Sequence, residues 1–156
     1  MRNRSPRLLL DSNVIIDGIF SRFGQSKAVL ALCAARTCRL ILAECVVLEV
    51  EHNLRKLASK SGGERLLSDL QQFLHLARPV KVPIAEKERV VSNRNLIRHF
   101  SDVPVVLAAI DSEPDWLITR NREHFTNEVA ANIGIRIASP EEFFRYLTAL
   151  TDIADN

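Results

Sequence analysis

Three acidic residues, far apart in the chain, stand where a carboxylate does little for folding. Asp11 interrupts the apolar stretch RLLLDSNVII (residues 7–16), Glu49 lies within ECVVLEVEHNL, and Asp102 precedes VPVVLAAI. Thr119, Arg120 and Asn121 follow a further apolar stretch, DWLITRN. A carboxylate at the end of a buried strand is costly unless a cation or hydrogen bonds meet it. Carboxylates brought together repel one another, and a divalent cation relieves that repulsion. No His or Cys shares the predicted cluster, and hard oxygen ligands alone select Mg²⁺ or Mn²⁺ over zinc. One or two such ions can activate a water and clamp a phosphodiester for in-line attack.

The elements that must carry these residues follow from the hydrophobic pattern. Residues 7–10 read as a fully buried strand that places Asp11 at its carboxyl end, where open α/β sheets bind ligands. Ser12 is a suitable N-cap for a helix running to about Phe20. A second helix is expected over 26–36 and a second buried strand over 39–43. A longer helix over 44–57 carries Val46, Val47, Val50, Leu54 and Leu57 at helical spacing, with Glu49 offset from that stripe.

Residues 59–63 (SKSGG) read as a turn, 64–77 as an amphipathic helix, 80–83 as a short edge strand limited by its prolines, and 86–97 as a charge-rich helix. Asp102 with Pro104 behind it is a strong helix start. Residues 116–119 form a third buried strand, with Asp115 at its start, and 136–138 a last one. Ser139-Pro140-Glu141-Glu142 is a capping box that opens a terminal helix to about Leu150. Strands alternating with helices predict a three-layer α/β/α sandwich around a mostly parallel sheet. The ends of the first and third buried strands then share one edge, within reach of Glu49 and Asp102.

Length and composition bound the rest. With 156 residues, 47% of them hydrophobic, the chain is one ordinary globular domain over 7–150, with 1–6 and 151–156 as loose tails. A net charge of +2 identifies no partner class, although Arg89, Arg94, Arg98, Arg120, Arg122 and Arg136 crowd the second half. Cys33, Cys38 and Cys45 show no CxxC pairing, which points to reduced thiols in a cytoplasmic protein. No apolar run approaches the roughly 20 residues of a membrane span, and three leucines are too few for a signal sequence.

The DSN after the first strand, the glutamate of ECVVLEVEHNL, DVPVVLAAI and DWLITRN resemble, in that order, the PIN-domain family, in particular the VapC-like toxin nucleases of bacterial toxin–antitoxin systems. The resemblance spans residue 8 to about 147. It implies an α/β/α fold, a Mg²⁺- or Mn²⁺-dependent ribonuclease acting on RNA, a homodimer, and an inhibitory antitoxin partner. It assigns Asp11, Glu49 and Asp102 to the metal-binding positions, Ser12 and Asn13 to the segment that orients ligands or water, and Thr119 to a supporting hydroxyl. The fourth acidic position falls on Asn121, whose amide oxygen can ligate a cation without bringing charge. Glu123 could substitute from the turn, while Asp115 sits at the strand's other end and serves the fold. Arg94, Arg98, Arg120 and Arg122 are candidates to line a path for the RNA backbone.

Each of these residues also has a plainer reading. Asp11 and Asp102 could be helix caps, Glu49 a solvated helix face and Asn121 a turn former. His52, His75, His99 and His124 lack ligand spacing and suit surface positions. Two alternatives to a nuclease stand beside it. A degenerate PIN-like domain would bind RNA or a protein without cutting. An aspartate-nucleophile phosphohydrolase would use Asp11, but the second aspartate that such enzymes carry two residues on is Asn13 here.

Overall fold

The computed structural model describes residues 4–60 and 63–155. Five strands form one sheet: β1 (Arg7–Leu10), β2 (Arg39–Ala43), β3 (Val80–Val82), β4 (Trp116–Ile118) and β5 (Arg136–Ala138), in the order β3-β2-β1-β4-β5. All neighbours pair in parallel, with Leu8 beside both Leu40 and Trp116. A sheet covered on both faces needs strands without alternation, and β1 is the extreme case: Leu8, Leu9 and Leu10 are all fully buried.

The crossovers set the layers. Between β1 and β2 run α1 (Ser12–Phe20) and α2 (Gln25–Ala34); between β2 and β3 run α3 (Glu44–Ala58) and α4 (Gly63–Ala77). These four helices pack against one another, and Gly18 lets α1 approach α2: a Cβ there would overlap Leu30 and lie 3.2 Å from the Ser26 carbonyl oxygen. The chain then returns across the sheet through α5 (Lys87–Ser92) and α6 (Val103–Ser112) to enter β4 beside β1. Right-handed crossovers in the two directions place the two helix sets on opposite faces. After β4 come α7 (Asn127–Ile133), β5 and α8 (Pro140–Ala154). The direction of winding reverses between β1 and β4, and such a switch point, at the carboxyl ends of the strands, is where open α/β sheets bind ligands.

The three-layer α/β/α architecture expected from the sequence is the one observed, with a sheet that is wholly parallel. Several local expectations need correction. Asp11, not Ser12, occupies the N-cap of α1, its carboxylate accepting from the Ser12 N–H at 2.8 Å. The stretch 86–97 is helical only over Lys87–Ser92, because α5 has no buried residue and Asn93 closes it by donating its side-chain amide to the Arg89 carbonyl at 2.8 Å. The helix is held instead by Arg89, whose two terminal nitrogens reach Asp111 at 2.6 Å each. Ser61 and Gly62 of the expected turn lie outside the described residues. Helix α8 opens on the Ser139–Glu142 capping box and continues past Leu150 to Ala154, its last residues exposed. At the other terminus Arg4 pairs with Asp115 at 2.8 Å and Arg39 N–H donates to the Pro6 carbonyl at 2.7 Å, while residues 1–3 lie outside the described residues.

Leu9 fills the centre of the sheet, so Leu9→Ala is expected to lower the unfolding free energy by about 2–5 kcal/mol. Leu150→Ala on exposed α8 should change it by no more than about 0.5 kcal/mol. Urea titrations of the two variants side by side check this; equal losses would contradict the burial pattern.

Candidate active site

Asp11 is built into three elements at once. Its N–H donates to the Ile118 carbonyl at 2.9 Å, extending the β1–β4 ladder by one residue, and its carbonyl accepts from Val14 N–H at 3.2 Å to start α1. One carboxylate oxygen accepts from Ser12 N–H; the other accepts from the Thr119 hydroxyl at 2.7 Å. Thr119 is fully buried and Asp11 only 6% exposed.

Asn13 ties the same strand ends together from the first turn of α1. Its amide group lies 3.4 Å from Asp11 Oδ2 and 3.5 Å from Thr119 Oγ1, and its oxygen accepts from the Arg120 N–H at 3.0 Å. Burial is the chief cause that raises the Asp11 pKa above its ordinary value of 3.8. The hydrogen bonds from Thr119 and Ser12 work against that shift, and the charges of Glu49 and Asp102 add to it. Among the described residues no Lys or Arg forms an ion pair with Asp11.

The structure therefore brings Glu49 and Asp102 within electrostatic reach of Asp11 at the switch point. It does not close them into a cage. Among the described residues no group of three or more His, Cys, Asp or Glu side chains is arranged to hold a metal ion. Glu49 is exposed on α3, and Asp102 gives one carboxylate oxygen, Oδ2, to Nδ1 of His124 at 2.7 Å. The donor chemistry nevertheless suits a hard divalent cation, since the buried Asp11 carboxylate feels two further acids and has no Lys or Arg ion-pair partner among the described residues.

The sequence-based statement that neither His nor Cys shares the cluster is overturned. His124 bonds Asp102 directly, and Cys45 in the first turn of α3 feels the charges of Asp11 and Glu49. Parallel pairing is the reason: it sets the end of β2, and with it Cys45, beside the end of β1. Burial first, then those charges, push the Cys45 thiol up to about 11, so without a metal it stays protonated at neutral pH. Cys33 and Cys38 are free and buried in the core.

The remaining candidates separate by position. Asn121 uses its side-chain oxygen to accept from His124 N–H at 3.3 Å and its backbone N–H to donate to Thr119 Oγ1 at 3.1 Å. Asp115 lies at the opposite end of the sheet, accepting from Arg7 N–H at 2.7 Å and from Arg4. Arg120 is engaged with Asp17 at 3.4 Å and with Glu141 at 3.5 Å. Arg122 bonds Glu142 at 3.1 Å, Asn127 at 2.5 Å and the Phe125 carbonyl. Arg94, Arg98 and Glu123 are exposed. His124, expected at the surface, is half-buried, and its partner Asp102 lies too far away in the sequence for any local signal to announce the bond.

The family model of the PIN domain matches residues 7–123, and the chain belongs to the PIN-domain family. Solved structures share its fold at low identity. VapBC2 from Rickettsia felis, bound to a DNA fragment from their promoter, contains a chain that matches with a TM-score of 0.62 at 17% identity, over 85% of this chain and 98% of that one. PAE2754 from Pyrobaculum aerophilum matches with 0.60 at 17%, over 93% and 91%. FitAcB from Neisseria gonorrhoeae matches with 0.59 at 17%, over 85% and 97%. No curated protein matches in sequence.

Because burial raises the Asp11 pKa in the folded state, the native protein binds this proton more tightly than the unfolded chain does. Ionised Asp11 thus lowers stability, and the loss develops as pH rises from 3.8 through the raised value. In metal-free buffer, Asp11→Asn should gain stability relative to wild type as pH goes from about 4 to about 7. Urea titrations with EDTA at several pH values read this, and a difference independent of pH would show that Asp11 is not desolvated.

Proposed function

We propose that this protein is a divalent-metal-dependent endoribonuclease that hydrolyses RNA phosphodiester bonds, and that it is the toxin of a toxin–antitoxin pair. The observation that carries the reading is Asp11, a buried carboxylate with two others nearby and no basic partner, at the switch point of a PIN-domain sheet. Asp11, Glu49 and Asp102 would hold Mg²⁺ or Mn²⁺, with Asn121 as a neutral fourth position. When bound, the ion supplies an activated water and neutralises charge developing on the phosphate.

This chain's own residues do the positioning. Thr119 and Ser12 hold the Asp11 carboxylate in one orientation, and Asn13 locks the start of α1 to the segment after β4. Arg94 and Arg98, exposed on the stretch leading to Asp102, would meet phosphates, whereas Arg120 and Arg122 are committed to ion pairs within the fold. The VapBC2 structure on promoter DNA supports an antitoxin as partner. A homodimer and a cytoplasmic location complete the proposal; among the described residues no helix is long and apolar enough to cross a membrane.

One observation favours a second reading. The absence of a three-ligand cluster among the described residues, with Asn121 serving the turn, suits a PIN-like domain that binds RNA or a protein without cutting.

Incubating a mixed RNA pool with purified protein in Mn²⁺, in Mg²⁺ and in EDTA separates the two. Under the first reading cutting needs a metal and falls by ~100-fold or more in Asp11→Asn and in Asp102→Asn, each with its fold intact by circular dichroism. Equal turnover in both variants and wild type would sink the site assignment, and no metal uptake by calorimetry would favour the non-cleaving domain. Replacing Arg94 and Arg98 together by Ala should raise KM for RNA and flatten its salt dependence by roughly 0.7 per lost phosphate contact, leaving kcat in place.

A further inference from the structure

Asp102 occupies the N-cap position of α6 and yet makes no capping hydrogen bond. An aspartate in that place ordinarily satisfies a free N–H of the first turn. Here its Oδ2 lies instead 2.7 Å from His124 Nδ1, a residue 22 positions later on the turn after β4. A carboxylate oxygen accepts, so Nδ1 carries the hydrogen of this bond.

His124 is not free to move with its partner. Its backbone N–H donates to the Asn121 side chain at 3.3 Å, and the next residue, Phe125, donates its N–H to the Asn121 carbonyl at 3.0 Å. The ring stacks on His99, with centroids 3.5 Å apart and planes inclined by 16°. Asn121 in turn donates its N–H to Thr119 Oγ1, the hydroxyl that bonds Asp11. One turn, residues 119–125, thereby fixes both carboxylates, Asp11 through Thr119 and Asp102 through His124.

We propose that His124 is a positioning residue of the acidic site: its Nδ1–H holds one oxygen of Asp102 so that the other is presented to the divalent cation. This rests on the metal-dependent reading proposed above. Partners that orient a ligand from behind commonly matter as much to metal affinity as a distant ligand does. An imidazole N–H gives one directed bond, where Lys or Arg would set a permanent charge against the cation. His99 fixes the plane of the His124 ring from a segment next to Asp102 itself, so both sides of the bond are anchored.

Two substitutions separate the bond from the stack. His124→Asn keeps an N–H near the place of Nδ1 and removes the ring. His124→Phe keeps a ring to stack on His99 and removes the N–H. Mn²⁺ binding to the full chain, read by calorimetry, should weaken ~10-fold or more in His124→Phe and stay within ~3-fold of wild type in His124→Asn. In RNA cleavage the Phe variant should lose kcat while KM for RNA holds.

The reverse order, with Asn weak and Phe normal, would assign the effect to stacking and overturn the proposal. So would wild-type affinity in both variants, or equal weakening that tracks a lowered Tm measured in EDTA. If His124→Phe does not fold, His124→Gln, which moves the N–H by one bond, takes its place with the same expected loss. A wild-type protein that takes up no Mn²⁺ would overturn the metal reading itself, a failure distinguishable because it appears before any substitution is made.

Discussion

The hydrogen bond from Thr119 to Asp11 is the interaction on which the rest of the site depends. It spans adjacent central strands, β1 and β4, at the point where the chain's winding reverses. Around it Asp11 ends a strand, caps a helix and adds one more rung to the β1–β4 ladder. Burying that carboxylate runs against its solvation, and the shift in its pKa records the conflict. The hydroxyl, the Ser12 N–H and the Asn13 amide reduce the penalty without supplying charge. What remains is a carboxylate held in one orientation, at the strand ends where a parallel sheet accepts ligands.

Topology then decides which other groups can approach. Because β2 and β4 flank β1 in parallel, the segments leaving all three strands emerge on one edge: α1 with Asn13, α3 with Cys45 and Glu49, and the turn with Thr119, Asn121 and His124. Asp102 arrives from a different direction, at the start of the helix that leads into β4. Four separate excursions of the chain thus supply groups to one edge of the sheet. Glu49 and Asp102 influence Asp11 through their charge without touching it, as expected for carboxylates with nothing positive between them.

Much of this was legible in the sequence where the signal is local. The bounds of β2 and β5, the capping box at Ser139 and the place of Asp11 at a strand end all follow from a handful of neighbouring residues. The stretch 86–97 misled because charge-rich composition favours helix, while helix length is set by what the element packs against, and α5 has no fully buried residue, Val90 alone packing partly buried against the core. Asp102 stands at the N-cap of α6, as the local signal indicated, but its Oδ2 meets a long-range partner, His124, that no local rule reveals. The arginines divide for a similar reason. Arg120 and Arg122 lie close to acids from α1 and α8 that only the folded arrangement brings near.

Asn121 links the electrostatics of the site to its geometry. A fourth carboxylate there would add to the repulsion that Asp11 already carries from Glu49 and Asp102, and would strengthen the pull on a cation. The amide gives up that charge while its oxygen still accepts the His124 N–H that closes the turn, as a carboxylate oxygen would. With the turn closed, the imidazole meets Asp102 and restrains it. In the proposed metal site, an Asp102 so restrained would lose less conformational freedom on binding a cation. Asn121 is in this way tied to the distant aspartate, through a hydrogen-bonded path that also runs back to Thr119 and Asp11.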